Sequence, residues 1–274
     1  MSVSSGGERV LVYGADGLVP GGADGEPAAA DSWLVEDGRV REWDAHWRRF
    51  GAAVAGAGGP VARLAGFRGA VAAALPPAGC WFPRVELVDG RLQLRMRVAP
   101  PRTAAVRLWV QGTDPRLLPR RKGPDLAALG GLRARAVAAG ADDALLLSPA
   151  GTVLETATAS LVWWEGDALC AVDPALPVLA GVTAGWVLRR AGELGVEVRL
   201  RRVRPRELSG REVWTVNALH GPRPVTGWVG AGEGDGSGAQ MTAGPAPRVA
   251  WWRARWAAAG EPPPATGTHW TPST

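Results

Sequence analysis

Apolar and polar positions alternate over short runs in the first part of the chain, and Asp-Gly pairs separate these runs. Residues 33–35 lead into Asp37-Gly38, and the apolar residues Val40 and Trp43 follow, so this passage predicts a β-hairpin. A similar pair, Asp89-Gly90, divides the strands that the pattern predicts between residues 86 and 110. The first part of the chain is therefore predicted to have an α+β organisation.

Helical periodicity follows the first hairpin and returns later in the chain. Asp44 is a candidate N-cap for a helix over 45–58, which Gly-Gly-Pro at 58–60 ends. A second helix is predicted over 124–139, with Pro124 in its first turn. A third runs from Thr183 to Gly195, a glycine in the position that commonly follows a helix.

Strand patterns occupy the segments between these later helices. The runs ALLLS, TVLET and SLVWWEGDALCAV predict strands, with the turn PAG between the first two. Alternation of valine and leucine with charged residues in VEVRLRRVRPREL, at 196–208, predicts a strand with one solvated face. A short tryptophan-rich helix is expected near the C-terminus.

The change of pattern at 111–121, a Pro/Arg-rich passage, predicts a domain boundary. The predicted divisions are a small α+β domain at 1–110, a linker at 111–121, a larger domain at 122–229, a flexible glycine-rich loop at 230–248, and the short helix with a frayed tail at 249–274.

Composition excludes several classes of protein. With 46% hydrophobic and 21% charged residues in 274, the chain is typical of a globular protein with a full core. Its net charge of +5 comes from scattered arginines, which favours solvated faces over a nucleic-acid surface. Cys80 and Cys170 form no C-x-x-C motif and are expected to be buried thiols, so no metal site is predicted. We find no signal peptide or apolar run long enough to span a membrane, and expect a cytoplasmic location.

One residue stands out against this background, because Lys122 is the only lysine among 31 basic residues. Arginine replaces lysine readily on a solvated surface, but it stays protonated and cannot attack a carbonyl group as a neutral amine can. Lys122 is therefore either a catalytic amine or a surface lysine that escaped replacement. A position just before a helix would lower the pKa of such an amine.

Two further features are compatible with chemistry at an anionic, aromatic ligand. Glu155 lies alone among apolar and small residues, and a buried glutamate needs a cationic partner, such as a protonated pyridine nitrogen; a solvated strand end is the alternative. Gly181, Val182 and Thr183 open a helix whose free N–H groups could bind phosphate, and Arg49 could add a matching charge.

The order of these blocks resembles the class IV aminotransferase family. The passage SWLVEDGRVREWDAHWRRF is similar to the family's strand, Asp-Gly turn and H-x-x-R-[LF] helix, with His46 and Arg49 in the matching places. The lysine-to-helix passage, ADDALLLSPAGTVLETATASLVWW, LAGVTAGWVLRRAGELGVEV and NALHGPRPV resemble its later blocks in order. The resemblance covers the chain from about Ala30 to Val225.

This resemblance implies an α/β fold of two domains, the fold type IV architecture of D-amino-acid aminotransferase, with pyridoxal 5'-phosphate in the cleft between them. Lys122 would bind the cofactor covalently and Glu155 would pair with the pyridine nitrogen. The other cofactor-binding positions that the resemblance implies are Arg49, Val182, Thr183, Asn217 and Ala218. A homodimer acting on a small amino or keto acid is expected, without nucleic-acid or membrane partners.

Some positions depart from the family pattern and bear on the reaction. Asp125 and Leu126 stand where K-x-x-N-R is common, Ser160 replaces a frequent asparagine, and Ala184 replaces an arginine of some members. Ser32 occupies the place of a threonine that lyases of the family use as a proton relay, and is the second catalytic candidate. With the block ETATASLVWW, it favours a 4-amino-4-deoxychorismate lyase. A branched-chain or D-amino-acid aminotransferase and a non-catalytic binding protein stay open as alternatives.

Overall fold

The computed structural model describes residues 8–230 and 240–264, which divide into two compact units. The first unit comprises the chain up to Pro101, the short segment Arg121–Leu126, and the residues from Ala258 onward; the second comprises Arg102–Arg120 and Ala127–Ala257. Lys122 therefore groups with the N-terminal unit, whereas the predicted boundaries at 110 and 121 stay a prediction. Part of the predicted flexible loop, 231–239, and of the frayed tail, 265–274, lies outside the described residues.

The first unit is built on an antiparallel sheet with two helices. Its strands are β1 (Arg9–Gly14), β2 (Gly17–Pro20), β3 (Ala29–Ser32), β4 (Val35–Glu36), β5 (Arg39–Val40), β6 (Cys80–Trp81), β7 (Arg84–Val88) and β8 (Arg91–Met96). Its helices are α1 (Trp43–Gly56) and α2 (Leu64–Ala74). The main sheet has the order β2-β1-β8-β7-β3, and β5-β4-β6 form a smaller one. Sequence patterns did not predict β1, β2 or α2.

Both Asp-Gly turns are confirmed. Asp37 and Gly38 have φ values of 47° and 74°, and Asp89 and Gly90 have 48° and 74°, so each pair joins its strands through left-handed backbone. The predicted cap is wrong: α1 begins at Trp43 without a side-chain cap, and Asp44 lies in the first turn, where it accepts a hydrogen bond from Arg68 at 2.5 Å. Asp44 thus joins α1 to α2 instead of capping α1.

Aromatic side chains fill the space between the α1 and α2 helices and the sheet of the first unit. Trp33, Trp47, Phe50 and Phe67 are almost fully buried and stack at tilted or edge-to-face angles. Such arrangements bury large apolar areas while satisfying the preferred geometry of aromatic pairs. This packing fixes α1 against β3, the strand on which part of the candidate site is built.

The second unit contains a mixed, curled sheet. Its strands are β9 (Val106–Thr113), β10 (Asp143–Leu147), β11 (Val153–Thr156), β12 (Ser160–Glu165), β13 (Ala168–Val172), β14 (Val198–Arg201), β15 (Val213–Asn217) and β16 (Gly221–Val229), with helices α3 (Leu126–Ala138), α4 (Val182–Glu193) and α5 (Val249–Ala258). The strand order is β11-β10-β9-β16-β15-β12-β13-β14. Strand β9 runs parallel to β10 and β16, and the predicted mixed α/β class is confirmed.

A tryptophan cluster holds α4 and α5 on one face of this sheet. Trp164 and Trp214 of the strands contact Trp252 of α5, which in turn contacts Trp186 of α4. These residues are at most 7% exposed. The packing of this cluster therefore accounts for these four tryptophans, and it fixes α4 against the sheet.

Several local expectations are corrected by the structure. All four residues of β14 are exposed, so this strand lacks the predicted buried face. Cys170 is buried as expected, but Cys80 is exposed at the edge of the small sheet. Helix α3 begins at Leu126, so Pro124 precedes its first turn. No helix in the described parts of the chain is both long and apolar enough to cross a membrane.

Candidate active site

In the first unit, the site is organised around the buried carboxylate of Asp31, which sequence reasoning missed. Arg49 reaches it from α1 with two hydrogen bonds of 2.8 Å, from Nε to Oδ2 and from Nη2 to Oδ1. His46, one turn earlier on α1, has its Nδ1 2.8 Å from Oδ1. The backbone N–H of Ser32 donates to the same oxygen at 2.7 Å. The predicted phosphate-binding arginine is thus oriented by an acid on β3.

These partners set the protonation of Asp31. Burial by itself would raise the pKa of this carboxyl, but the adjacent Arg49 guanidinium and His46 together hold the pKa well below its usual range. Burial also lowers the pKa of His46, against the attraction of Asp31. At neutral pH the cluster therefore contains an ionised aspartate and a neutral histidine beside the Arg49 guanidinium.

Lys122 is attached to the same strand through its backbone. The N–H of Ala30 in β3 donates to the Lys122 carbonyl at 2.8 Å. Gly123, with φ of 138°, makes this approach possible, because a Cβ there would lie 2.8 Å from both the Ala29 Cα and the Pro27 carbonyl oxygen. The half-buried lysine is therefore held beside β3 by a close backbone contact that requires glycine at position 123.

Ser32 ends β3 and is 7% exposed. Since side chains alternate along a strand, Ser32 lies on the same face as Ala30 and on the opposite face from Asp31. The first unit thus gathers three predicted residues around β3: Ser32 in the strand, Lys122 through its carbonyl, and Arg49 through Asp31.

In the second unit, Glu155 of β11 is buried and does not lie at a solvated strand end, and it has the cationic partner that its burial requires. Arg116 donates from Nη1 to Glu155 Oε1, and the backbone N–H of Leu179 donates to the same oxygen at 2.8 Å. Among the residues that the structure describes, no donor reaches Oε2. Burial raises the pKa of Glu155 above its ordinary value, and Arg116 opposes the rise.

The segment that binds Glu155 continues directly into α4. Gly181 is the N-cap residue and provides no side-chain cap, so the first N–H groups of the helix, including those of Val182 and Thr183, lack intrahelical partners. The Thr183 hydroxyl is buried without a hydrogen bond among the described residues. A Cβ on Gly181 would lie 2.3 Å from Ser160 Oγ, so Ser160 and Gly181 are closely packed.

Asn217 and Ala218 lie at the turn between β15 and β16. Asn217 donates to the carbonyl of Thr158 at 3.2 Å and accepts from the N–H of His220 at 2.9 Å, which fixes the turn. Ser160 pairs with Val216, the residue before Asn217. The start of β12 therefore lies next to both the start of α4 and the turn that carries Asn217 and Ala218.

Two features of the second unit fit pyridoxal phosphate. A phosphate group would supply acceptors for the uncapped α4 amides and for the orphaned Thr183 hydroxyl, and the positive end of the helix dipole favours an anion there. Glu155 Oε2 is available to accept from a protonated pyridine nitrogen. No group of histidine, cysteine and acidic side chains suitable for a metal ion occurs in the described ranges.

Comparison with known proteins identifies the family of the chain. The family model for class IV amino-transferases matches residues 28–228 and so confirms the resemblance found in the sequence. A fold IV transaminase from Curtobacterium pusillum superposes with a TM-score of 0.72 at 20% identity, covering 92% of this chain and 97% of its own. No curated protein matches the chain.

Two other solved structures share the fold. A putative 4-amino-4-deoxychorismate lyase from Legionella pneumophila has a TM-score of 0.67 at 17% identity, with 84% of this chain and 90% of that chain covered. The branched-chain amino acid aminotransferase of Escherichia coli has a TM-score of 0.69 at 15% identity, with 86% and 88% covered. At these identities the likeness establishes the fold and leaves the reaction open.

Proposed function

Because the chain belongs to the class IV aminotransferase family of pyridoxal-phosphate enzymes, we propose that it is a 4-amino-4-deoxychorismate lyase. The proposed reaction breaks the bond between the ring and the pyruvyl oxygen and releases pyruvate, leaving 4-aminobenzoate. The two products together contain every atom of the substrate, so neither water nor a redox partner is consumed. The bound cofactor supplies an electron sink for the carbanion that forms when the ring carbon loses its proton.

The observation that carries this proposal is the placement of Ser32 relative to Lys122. The Ala30 N–H binds the Lys122 carbonyl, and Ser32 follows two residues later on the same face of β3. A lyase must move a proton away from the ring carbon, and an amine with a hydroxyl near its attachment point can share that task. Ser32 is thus the proposed proton relay of the lyase.

The remaining residues of the proposed site bind and orient the cofactor. Lys122 supplies the amine that holds the cofactor and moves the proton, Glu155 accepts from the pyridine nitrogen, and Arg49 with the start of α4 holds the phosphate. The residues proposed at the start of α4 and at the following turn are Val182, Thr183, Asn217 and Ala218. The cytoplasmic location and the homodimer expected from the sequence are also proposed here.

The test is to incubate the purified chain, loaded with pyridoxal phosphate, with 4-amino-4-deoxychorismate and to measure 4-aminobenzoate and pyruvate together. We expect equal amounts of both, with Ser32→Ala lowering kcat by about 100-fold and Ser32→Thr retaining most of it. Lys122→Ala should release neither product. Transfer of an amino group from a branched-chain or D-amino acid to a keto acid, without pyruvate release, would instead identify an aminotransferase.

A further inference from the structure

Arg116 is a buried arginine in the second unit to which the sequence assigned no role. It lies between β9 and α3, with a side chain only 5% exposed. Its guanidinium has five N–H donors, and each has a partner. The partners are Asp114 Oδ1 for Nε, Asp114 Oδ2 and the Pro177 carbonyl for Nη2, and Glu155 Oε1 and the Pro119 carbonyl for Nη1. A guanidinium held at all five positions is fixed in orientation.

The charges in this group are arranged in a chain from Asp114 through Arg116 to Glu155. Asp114 binds the guanidinium in a fork of 2.8 and 2.9 Å, so it fixes the plane of Arg116. Arg116 then contacts one oxygen of Glu155, on the side where Leu179 also donates. Both donors to Glu155 therefore approach Oε1, and the carboxylate is oriented with Oε2 left for another partner.

We propose that Arg116 is a positioning residue for the cofactor: it stabilises the charged form of Glu155 and directs Oε2 toward the pyridine nitrogen. This inference rests on the proposed role of Glu155 as the partner of that nitrogen, and it does not depend on which reaction the enzyme catalyses. Glu155 is nearly buried, and a buried carboxylate without a cationic partner takes up a proton. Arg116 opposes this, and Asp114 holds Arg116 in place.

The proposal has a consequence that can be measured as a proton count. Arg116 lowers the pKa of Glu155 against the effect of burial, so its removal leaves more of the proton on Glu155 before the cofactor binds. The pair of Glu155 and the pyridine nitrogen would hold one proton in either case. The variant should therefore take up fewer protons than the wild type when the cofactor binds.

Arg120 provides a matched control in the same passage. It donates to the carbonyls of Pro174, Ala175 and Leu176, the segment adjacent to the Pro177 carbonyl that Arg116 binds. No ion pair between Arg120 and a carboxylate occurs in the described residues. Arg120 thus shares with Arg116 the bracing of this segment but has no contact with Glu155.

The experiment titrates the purified full-length apoprotein with pyridoxal phosphate in a calorimeter, in two buffers of different ionisation enthalpy, to obtain the affinity and the protons taken up. We expect Arg116→Met to raise Kd about tenfold and to reduce the number of protons taken up. Arg116→Lys should retain most of the uptake with a smaller loss of affinity, since it keeps the charge but not the five donors. Arg120→Met should match the wild type in both measurements.

Two results would overturn the proposal. Equal proton uptake by wild type and Arg116→Met would mean that Arg116 does not set the ionisation of Glu155. A loss in Arg120→Met equal to that in Arg116→Met would assign Arg116 a purely bracing role.

A Glu155→Gln background separates these effects, because there Arg116→Met should leave proton uptake unchanged. If Arg116→Met fails to fold, Arg116→Lys decides: a loss of affinity with most of the proton uptake retained supports the proposal, and an unchanged affinity opposes it. Absence of lyase activity would not affect any of these readings.

Discussion

A buried carboxylate meets a guanidinium in each unit, and the two carboxylates titrate in opposite directions. Asp31 in the first unit has a pKa held below its usual range, whereas Glu155 in the second has a raised pKa. Both are nearly inaccessible to water, so burial raises the pKa of each. The difference must come from their partners.

The number of donors separates the two sites. Asp31 receives two hydrogen bonds from Arg49, one from the Ser32 N–H and a contact from His46, and both of its oxygens are used. Glu155 receives two, both on Oε1, and its guanidinium is shared with Asp114. Desolvation is outweighed at the first carboxylate and prevails at the second.

The different contacts of the two carboxylates indicate different roles. A carboxylate with all its acceptor sites filled by protein groups is a structural anion, and here it orients Arg49. A carboxylate with one oxygen left open in a buried place is incomplete until another donor arrives. Asp31 therefore contributes to stability, and Glu155 contributes to binding.

Removal of the Asp31 charge should give the largest effect. Asp31→Asn leaves the partly buried Arg49 and the buried His46 without their anion, and breaking such a pair costs about 3–5 kcal/mol of unfolding free energy. Urea denaturation at pH 7 measures the loss. Glu193→Gln is the control, because the side chains of Glu193 and its partner Arg190 are 49% and 40% exposed and loss of this pair should cost at most about 1 kcal/mol. Equal losses in both variants would contradict the comparison.

The same substitution at Glu155 should act on binding and much less on folding. Glu155→Gln keeps the shape of the side chain and removes a charge whose burial is only partly compensated, so the unfolding free energy should change by about 1 kcal/mol or less. Affinity for pyridoxal phosphate should fall about tenfold, because an amide cannot pair with a protonated pyridine nitrogen as a carboxylate does. Denaturation and cofactor titration of one preparation test both. A loss of stability as large as that of Asp31→Asn would show that Glu155 is also structural.

Sequence reasoning found one member of this pair and missed the other. Glu155 was recognised as a lone acid among apolar and small residues that needs a cation, and Arg116 provides one. Asp31, in PAAADSW, is also a lone acid among small and apolar residues, so the same argument could have found it. Arg116 had no such signal, because among so many arginines the buried one is distinguished only by the three-dimensional contacts of its five donors.

Some parts of the fold could likewise be predicted from the sequence, and others could not. Turns defined by neighbouring residues, such as Asp37-Gly38 and Asp89-Gly90, were predictable because their chemistry is local. The exposure of β14 and of Cys80 was not, because each depends on which strands lie at the edge of a sheet. Gly123 is an intermediate case: its position after the lysine was visible in the sequence, but its contact with residues 27–29 was not.

The smallest expected effect is that of His46 on the pH dependence of the unfolding free energy. Its pKa in the folded chain is lowered by burial, despite the attraction of Asp31, so between the folded value and the unfolded value of about 6.5 the unfolded chain binds more protons. The stability that His46 contributes is therefore complete above about pH 6.5 and declines as the pH falls, by at most about 1.4 kcal/mol per pH unit.

His46→Gln removes this titration, so the difference in unfolding free energy between wild type and variant should be greatest near pH 8 and shrink below pH 6.5. Urea denaturation at several pH values measures it. His220→Gln, in the second unit, is the matched control, because burial and then nearby arginines lower the pKa of His220 to about 4. Its difference should shrink in the same window and level off below about pH 4. A difference for His46 that instead grows as the pH falls from 8 toward 6.5 would mean that the Asp31 carboxylate holds the imidazole protonated in the folded chain. Asp31 would then be bound by two cations, and its contrast with Glu155 would be one of charge more than of the number of donors.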